Sequence, residues 1–395
     1  MNGNLKHTGL ILLSGVDAPG ITEMLFRVLT PFQIEIVDFE QVVIRDRLLL
    51  TVLIKFDQAH QSAIEDDVTN AFKDSGIDLA MDFATGDHAS GKNSNLHLVV
   101  LAEQIRPIAI AKIANLIQKY NGNIDRVRRT SDQPIIALEF DITAEFDEDS
   151  LKVLQREFAV ISNEFKIDIA VQRGGLIRRA KRVVLLDMDS TLIQQEVIDL
   201  LADKVGVGEK VSKITESAMR GDIDFTTSLK ERVALLAGAS EEIFTDVFES
   251  ISLTPGALDL IKTLHKLGHK VGVVSGGFLN VIEPLLRDLR IDFYRANTLE
   301  VIGGKITGRI SGPIINREAK AEALVEFAKK EGVELNQTIA IGDGANDLGM
   351  IEIAGLGIAF NAKPKVKLQA DASISTPYLD SVLFLMGITR AEINN

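Results

Sequence analysis

Three stretches of the chain are almost uninterrupted apolar runs that stop on small or acidic residues: VVLLD from Val183, KVGVVSGG from Lys270 to Gly277, and TIAIGDG from Thr338 to Gly344. A strand with one wet face alternates apolar and polar residues, so runs without that alternation must be covered on both faces. Helical patterns separate them, and strands alternating with helices imply a parallel sheet with its site at the carboxyl ends of the strands. One such helix, TPGALDLIKTLHKLG, has Thr254 as its expected N-cap, Pro255 at its first position and Gly268 as its stop. Residues 194–252 break the rhythm. They are mostly helical by pattern and too long for a simple connection, so they read as an inserted cap over the site.

The first half is patterned differently. Residues 10–14, 34–43, 48–56 and 79–83 read as strands and 21–32 and 63–72 as helices, a βαββαβ order with Ile21, Leu25, Val28 and Leu29 on one helix face. The order returns with strands at 96–101, 124–128, 135–142 and 167–171 and helices at 107–120 and near 151–158, Pro19 and Pro107 standing at equivalent places. The small polar segment GDHASGKNSN, 86–95, reads as a linker between the copies. The basic stretch RGGLIRRAKR, 173–182, reads as a solvated linker face.

At 395 residues the chain exceeds what one core organises, so two or three domains are expected. Its net charge of -13 argues against nucleic acid or an anionic membrane as partner, and an anionic substrate must be met by local positive charge. The absence of cysteine excludes disulfides and thiolate metal sites and suits a reducing compartment. No apolar run reaches the roughly 20 residues of a membrane span, and the start lacks a signal-peptide pattern, so a cytoplasmic protein is expected.

Asp187 and Asp189 follow VVLL with a methionine between them, spaced to face one way if the chain stays extended. Two carboxylates crowded at a strand end repel unless a cation sits between them, and Mg²⁺, a hard ion that takes carboxylates while keeping water and phosphate, is the natural remedy. DMDST alone reads equally well as a helix cap beside an exposed neighbour. SGG alone is common in turns, yet Ser275, Gly276 and Gly277 at a strand end can grip a phosphate through a hydroxyl and open amides. In IGDGAND, Asp343 can give the metal a further oxygen, with Asn346 and Asp347 following. Lys320 in NREAKAEAL, taken singly, reads as a solvated helix lysine.

Together, in this order and with a cap after the first, DMDST, VVSGG, Lys320 and GDGAND resemble the four motifs of the haloacid dehalogenase superfamily of aspartyl-phosphate phosphatases. Within it, DxDSTxxxxE from Asp187 to Glu196, Arg232 in SLKERVALL, and Met219 and Phe225 resemble the phosphoserine-hydrolysing branch. Upstream, GVDAPGI resembles the GxDxPGx turn of ACT domains, regulatory modules that often bind amino acids; the second copy carries AEQIRP there. The resemblance implies an α/β protein: a doubly wound parallel-sheet, Rossmann-like core with a helical cap (181–395, cap about 194–252), preceded by ACT-like domains at 1–86 and 95–173. It implies Mg²⁺ held by Asp187, Asp189 and Asp343, with Asp187 as nucleophile and Asp189 as proton donor and acceptor. Phosphoserine would be bound by Glu196, Arg232, Ser275, Gly276, Gly277, Lys320 and Asn346, with Asp347, Met219 and Phe225 in support. The ACT turn, Asp17, Pro19 and Gly20, implies an amino-acid effector such as serine, and ACT pairing implies a homodimer. Two rival readings are another small phosphomonoester as substrate, and an amino-acid sensor whose phosphatase domain is only a scaffold.

Overall fold

The first βαββαβ copy folds into an antiparallel sheet of β1 (His7–Val16), β2 (Ile34–Ile44), β3 (Arg47–Phe56) and β4 (Ile77–Thr85), in the order β2-β3-β1-β4. Leu48, Leu50, Val52, Ile54 and Phe56 alternate along β3 and lie buried under helices Ile21–Leu29 and Gln61–Phe72. In the GVDAPG stretch, residues 16–20 are exposed. The Asp17 N–H donates to the Asp46 carbonyl at 2.8 Å, and Gly20 takes a φ of 97°, open to glycine, to start the helix. The edge strand β2 leaves Val37, Phe39, Val42, Val43 and Ile44 exposed. This computed structural model describes residues 7–85, 94–145, 148–220 and 222–394, so residues 86–93 of the expected linker lie outside the described residues. The chain divides between Lys92 and Asn93 into two units, the second beginning with the other copy.

That copy repeats the architecture with β5 (Leu96–Ala102), β6 (Asn123–Ser131), β7 (Ile136–Thr143) and β8 (Asp168–Arg173) in the order β6-β7-β5-β8, and helices Pro107–Lys119 and Glu148–Phe165. Its central strand is buried on both faces. Leu96, Leu98 and Val100 point to its own helices, while Val99 and Leu101 join the core of the α/β region that follows. Polar ties reinforce this packing: the Ser375 N–H donates to the Asp168 carboxylate at 2.6 Å, and Gln172 Nε2 to the Leu385 carbonyl at 3.0 Å. The basic stretch at 173–182 is therefore not a solvated face throughout. Arg178 and Lys181 are buried, Arg178 Nη2 donating to Glu139 at 2.7 Å and Lys181 Nζ to the Asn336 carbonyl at 2.7 Å. The positive charges serve as internal ties that composition could not distinguish from surface ones.

The α/β region holds β9 (Val183–Leu186), β10 (Lys270–Phe278), β11 (Phe293–Ile302), β12 (Lys305–Ser311), β13 (Thr338–Gly342), β14 (Gly357–Phe360) and β15 (Ala372–Ile374), in the order β12-β11-β10-β9-β13-β14-β15. All pairings are parallel except β11 with β12. Both faces of β9 are covered: Val184 and Leu186 enter one core cluster, and Val183 and Leu185 enter another with Leu324 and Phe327. Because β9 lies between β10 and β13, the chain crosses outward in opposite directions on either side of it, which opens a crevice at the three carboxyl ends.

Helices Val197–Val205, Gly208–Arg220, Phe225–Ala234 and Ile243–Phe248 form the insert after β9. Its entry and exit run side by side, with the Gln194 N–H donating to the Ser252 carbonyl at 3.0 Å and Ile193 bridging Leu253. The next helix starts later than Thr254 and Pro255 suggest, at Ala257, because Gly256 is left-handed (φ 78°). Thr254 instead donates its hydroxyl to the Thr191 carbonyl at 2.7 Å, tying the exit of the insert to the loop after β9. Among the described residues no helix is long and apolar enough to cross a membrane.

Candidate active site

Asp187 follows β9 directly and is 5% exposed, so its carboxylate is held in a dry setting by the sheet. Its Oδ1 accepts from the Met188 N–H at 2.7 Å and lies 2.7 Å from Lys320 Nζ, which leaves Oδ2 as the oxygen able to react. Lys320 sits in the first turn of helix Arg317–Lys330, started by Asn316, whose side chain accepts from the Ala319 N–H at 2.9 Å. Far from a solvated helix lysine, it is fully buried and also bonded to Asp347 Oδ1 at 2.6 Å. Asp347 Oδ2 accepts from the Gly344 N–H at 2.9 Å, so Asp347 braces both the lysine and the loop after β13.

Asp187, Asp343 and Asp347 each present a carboxylate oxygen within 4.8 Å of the others. Asp347 joins Asp187 and Asp343 in this cluster as the second carboxylate that holds Lys320. Asp189 turns toward β10, where a Cβ on Gly277 would come within 2.8 Å of its Oδ2 and 3.0 Å of Ser275 Oγ. A side chain at 277 would displace one or both of these groups. The Gly277 N–H donates to Ser275 Oγ at 2.8 Å, so that amide is engaged within its own loop. Asn297, buried on β11, donates to the Gly276 carbonyl at 2.8 Å and accepts from the Ile315 N–H at 2.9 Å, locking the loop from behind. Asn346 is half-buried on the turn between Asp343 and Asp347.

From the insert, Phe225 lies over the same loop, a Cβ on Gly276 falling 3.1 Å from its Cζ. Arg232, on the same helix, is buried, donates Nε to the Ser228 carbonyl at 3.3 Å and makes no ion pair among the described residues. Glu196 accepts from Ser190 Oγ at 2.8 Å, and Ser190 reaches it from a left-handed conformation (φ 56°). The Met219 side chain lies outside the described residues. Asp17, Pro19 and Gly20 belong to the other unit and stay on their exposed turn.

The charges do not balance. Lys320 is the ammonium that directly contacts this cluster of buried carboxylates. Burial, then the charge of Asp347, pushes the Asp187 carboxyl well above its usual range, with Lys320 opposing. Burial, then Glu196, does the same to Asp189. Asp343 is pushed up to about 7 by burial, Asp347 and Glu196. Burial would lower the Lys320 pKa, but Asp187 and Asp347 outweigh it and keep the amine charged. Surplus negative charge on oxygen ligands in a dry pocket fits a hard divalent cation. Asp187 and Asp343 are suited to hold it, since both oxygens of Asp347 already have partners.

Two supporting contacts are not visible in the motifs themselves. Thr191 Oγ1 donates to Asp343 Oδ1 at 3.3 Å, and Asp199 lies near enough to Arg232 that the guanidinium offsets part of the rise in its carboxyl pKa that burial causes. Each comes from an element distant in sequence from the residue it serves.

Residues 184–352 match the haloacid dehalogenase-like hydrolase family, and 7–82 and 94–172 each match an ACT domain family. The chain is 45% identical over 390 residues to phosphoserine phosphatase SerB2 of Mycobacterium tuberculosis, covering 98% of this chain and 95% of that one. It is 43% identical over 387 residues to the phosphoserine phosphatase of Streptomyces coelicolor, covering 98% and 93%. Among solved structures, a phospho-aspartyl intermediate analogue of phosphoserine phosphatase superposes with a TM-score of 0.50 at 43% identity, over 52% of this chain and 98% of that one.

Proposed function

Because the chain belongs to the phosphoserine phosphatases, haloacid dehalogenase-like hydrolases here joined to two ACT domains, we propose that it hydrolyses O-phospho-L-serine to L-serine and phosphate through a phosphorylated Asp187, as the last step of serine formation. The observation that carries the reading is the buried pairing of Asp187 with Lys320 beside Asp343, under an insert that presents Arg232 and Glu196. Asp187 Oδ2 attacks phosphorus, the bond to the serine oxygen breaks, and Asp189 gives that oxygen its proton. Water then attacks the acyl phosphate while Asp189 takes a proton back, returning Asp187 as carboxylate. The raised pKa of Asp189 suits it to hold the first proton near neutral pH. Lys320 and Ser275 meet the charge on the phosphoryl oxygens, and Asn346 stands within the same turn. A bound Mg²⁺, held by Asp187 and Asp343, would neutralise surplus negative charge and polarise the phosphoryl group.

Substrate choice follows from the insert. The buried Arg232 guanidinium, without an ion pair among the described residues, is an open seat for a carboxylate, and Glu196 suits the ammonium. Arg232→Ala should raise KM for phosphoserine by about 100-fold, the scale of losing a charged hydrogen-bonded pair. Glu196→Gln should give a smaller rise. Equal kinetics for both variants and the parent would instead favour another small phosphomonoester as substrate.

The raised Asp343 pKa also sets the pH dependence of metal binding. In metal-free protein, the stability this carboxyl contributes is present below its ordinary pKa of 3.8 and is lost as pH rises through about 7. Added Mg²⁺ offsets that loss, so its thermal stabilisation should be small near pH ~5 and grow to a plateau above pH ~7. A thermal shift independent of pH would contradict this.

The ACT modules supply regulation and assembly in this reading. Serine or another amino acid binds at the GVDAPG turn and alters turnover, and the apolar edge strand β2 pairs with a second copy to form a homodimer. Phosphate release with and without serine, alongside sedimentation of the parent and of Phe39→Asp, tests both. Serine-independent turnover opposes the first, and a monomeric parent opposes the second.

A further inference from the structure

Ser228 is fully buried, yet its hydroxyl has no hydrogen-bond partner among the described residues. An unsatisfied buried hydroxyl costs free energy, so it is retained where something absent from the free protein completes it. Its helix gives the direction. Ser228 lies three residues after Phe225 and four before Arg232, so the three share one face of helix Phe225–Ala234. Phe225 places that face over the Gly276 loop. Long helical side chains lean back over the preceding turn, and the Arg232 Nε bond to the Ser228 carbonyl puts the guanidinium over Ser228.

We propose that Ser228 Oγ is a further substrate-binding group, donating to the same substrate carboxylate that Arg232 grips and so helping the enzyme to prefer amino-acid phosphates over phosphomonoesters lacking a carboxylate. A serine at this position is four residues before the arginine, so a carboxylate seated on the guanidinium meets the hydroxyl on its N-terminal side. The hydroxyl takes no part in bond making at phosphorus, and its contribution falls on binding. The inference rests on phosphoserine being the substrate.

The test is Ser228→Ala in the full chain with Mg²⁺, compared on O-phospho-L-serine and on O-phosphoethanolamine, the latter followed as substrate or as competitive inhibitor. The expected result is a KM for phosphoserine raised about 10- to 100-fold with kcat within about twofold, and an unchanged constant for phosphoethanolamine. The melting temperature should hold or rise, because the hydroxyl has no partner among the described residues. Equal loss on both ligands, or none on either, would overturn the assignment. A parent enzyme inactive on phosphoserine would instead overturn the substrate reading itself.

Discussion

Asp187→Asn should be folded and inactive. Asparagine keeps an oxygen that can accept from the Met188 N–H and Lys320, so the local bonds survive, while the anionic nucleophile is gone. Turnover of phosphoserine should fall by on the order of 10⁴-fold or more, the scale on which covalent catalysis fails without its nucleophile. Stability should move the other way. Removing one charge from a site with surplus negative charge relieves repulsion, so the metal-free melting temperature should match or exceed that of the parent, most clearly above pH ~7. Phosphate-release assays and thermal melts over pH read the two effects separately. An active variant would remove Asp187 from the role of nucleophile.

Lys320→Met should damage both stability and activity. The ammonium is fully buried between Asp187 and Asp347, and deleting one partner of a buried ion pair costs about 3–5 kcal/mol because the other charges are left uncompensated. The cost should shrink toward acid pH, where the Asp187 and Asp343 carboxyls, already raised, take up protons. Activity should fall by roughly 10²- to 10³-fold even in protein that is folded, since a fixed positive charge is lost from the phosphoryl group. Adding Asp347→Asn should restore part of the stability and none of the activity, the two sites being coupled through one ammonium. Denaturant titration with parallel kinetics would show this; recovery of activity along with stability would mean that Lys320 acts only on folding.

The strands and helices were legible because their patterns are local. Alternating burial along β3 and double burial of β9 follow from residues two apart, and both are visible in LLLTVLIKF and VVLL. The site residues were legible as far as they sit on motifs at strand ends. What escaped the reading depends on contacts distant in sequence. Lys320 alone looks like a surface lysine, and only the packing of its helix against β9 and β10 buries it. Arg178 and Lys181 look solvated because nothing local reveals that Glu139 and the Asn336 carbonyl await them. The spacing of Asp189 from Asp187 does not show that the left-handed turn at Ser190 brings its carboxylate against Gly277 on β10.

The central claim is that Asp187 carries the phosphoryl group. The direct measurement is rapid acid quenching of enzyme turning over O-phospho-L-serine labelled on phosphorus, with peptide mapping of the denatured protein. The account predicts label on the peptide containing Asp187, labile to hydroxylamine as an acyl phosphate is, and absent in Asp187→Asn. Turnover with no protein-bound label at any quench time, or label on a peptide without Asp187, would contradict it.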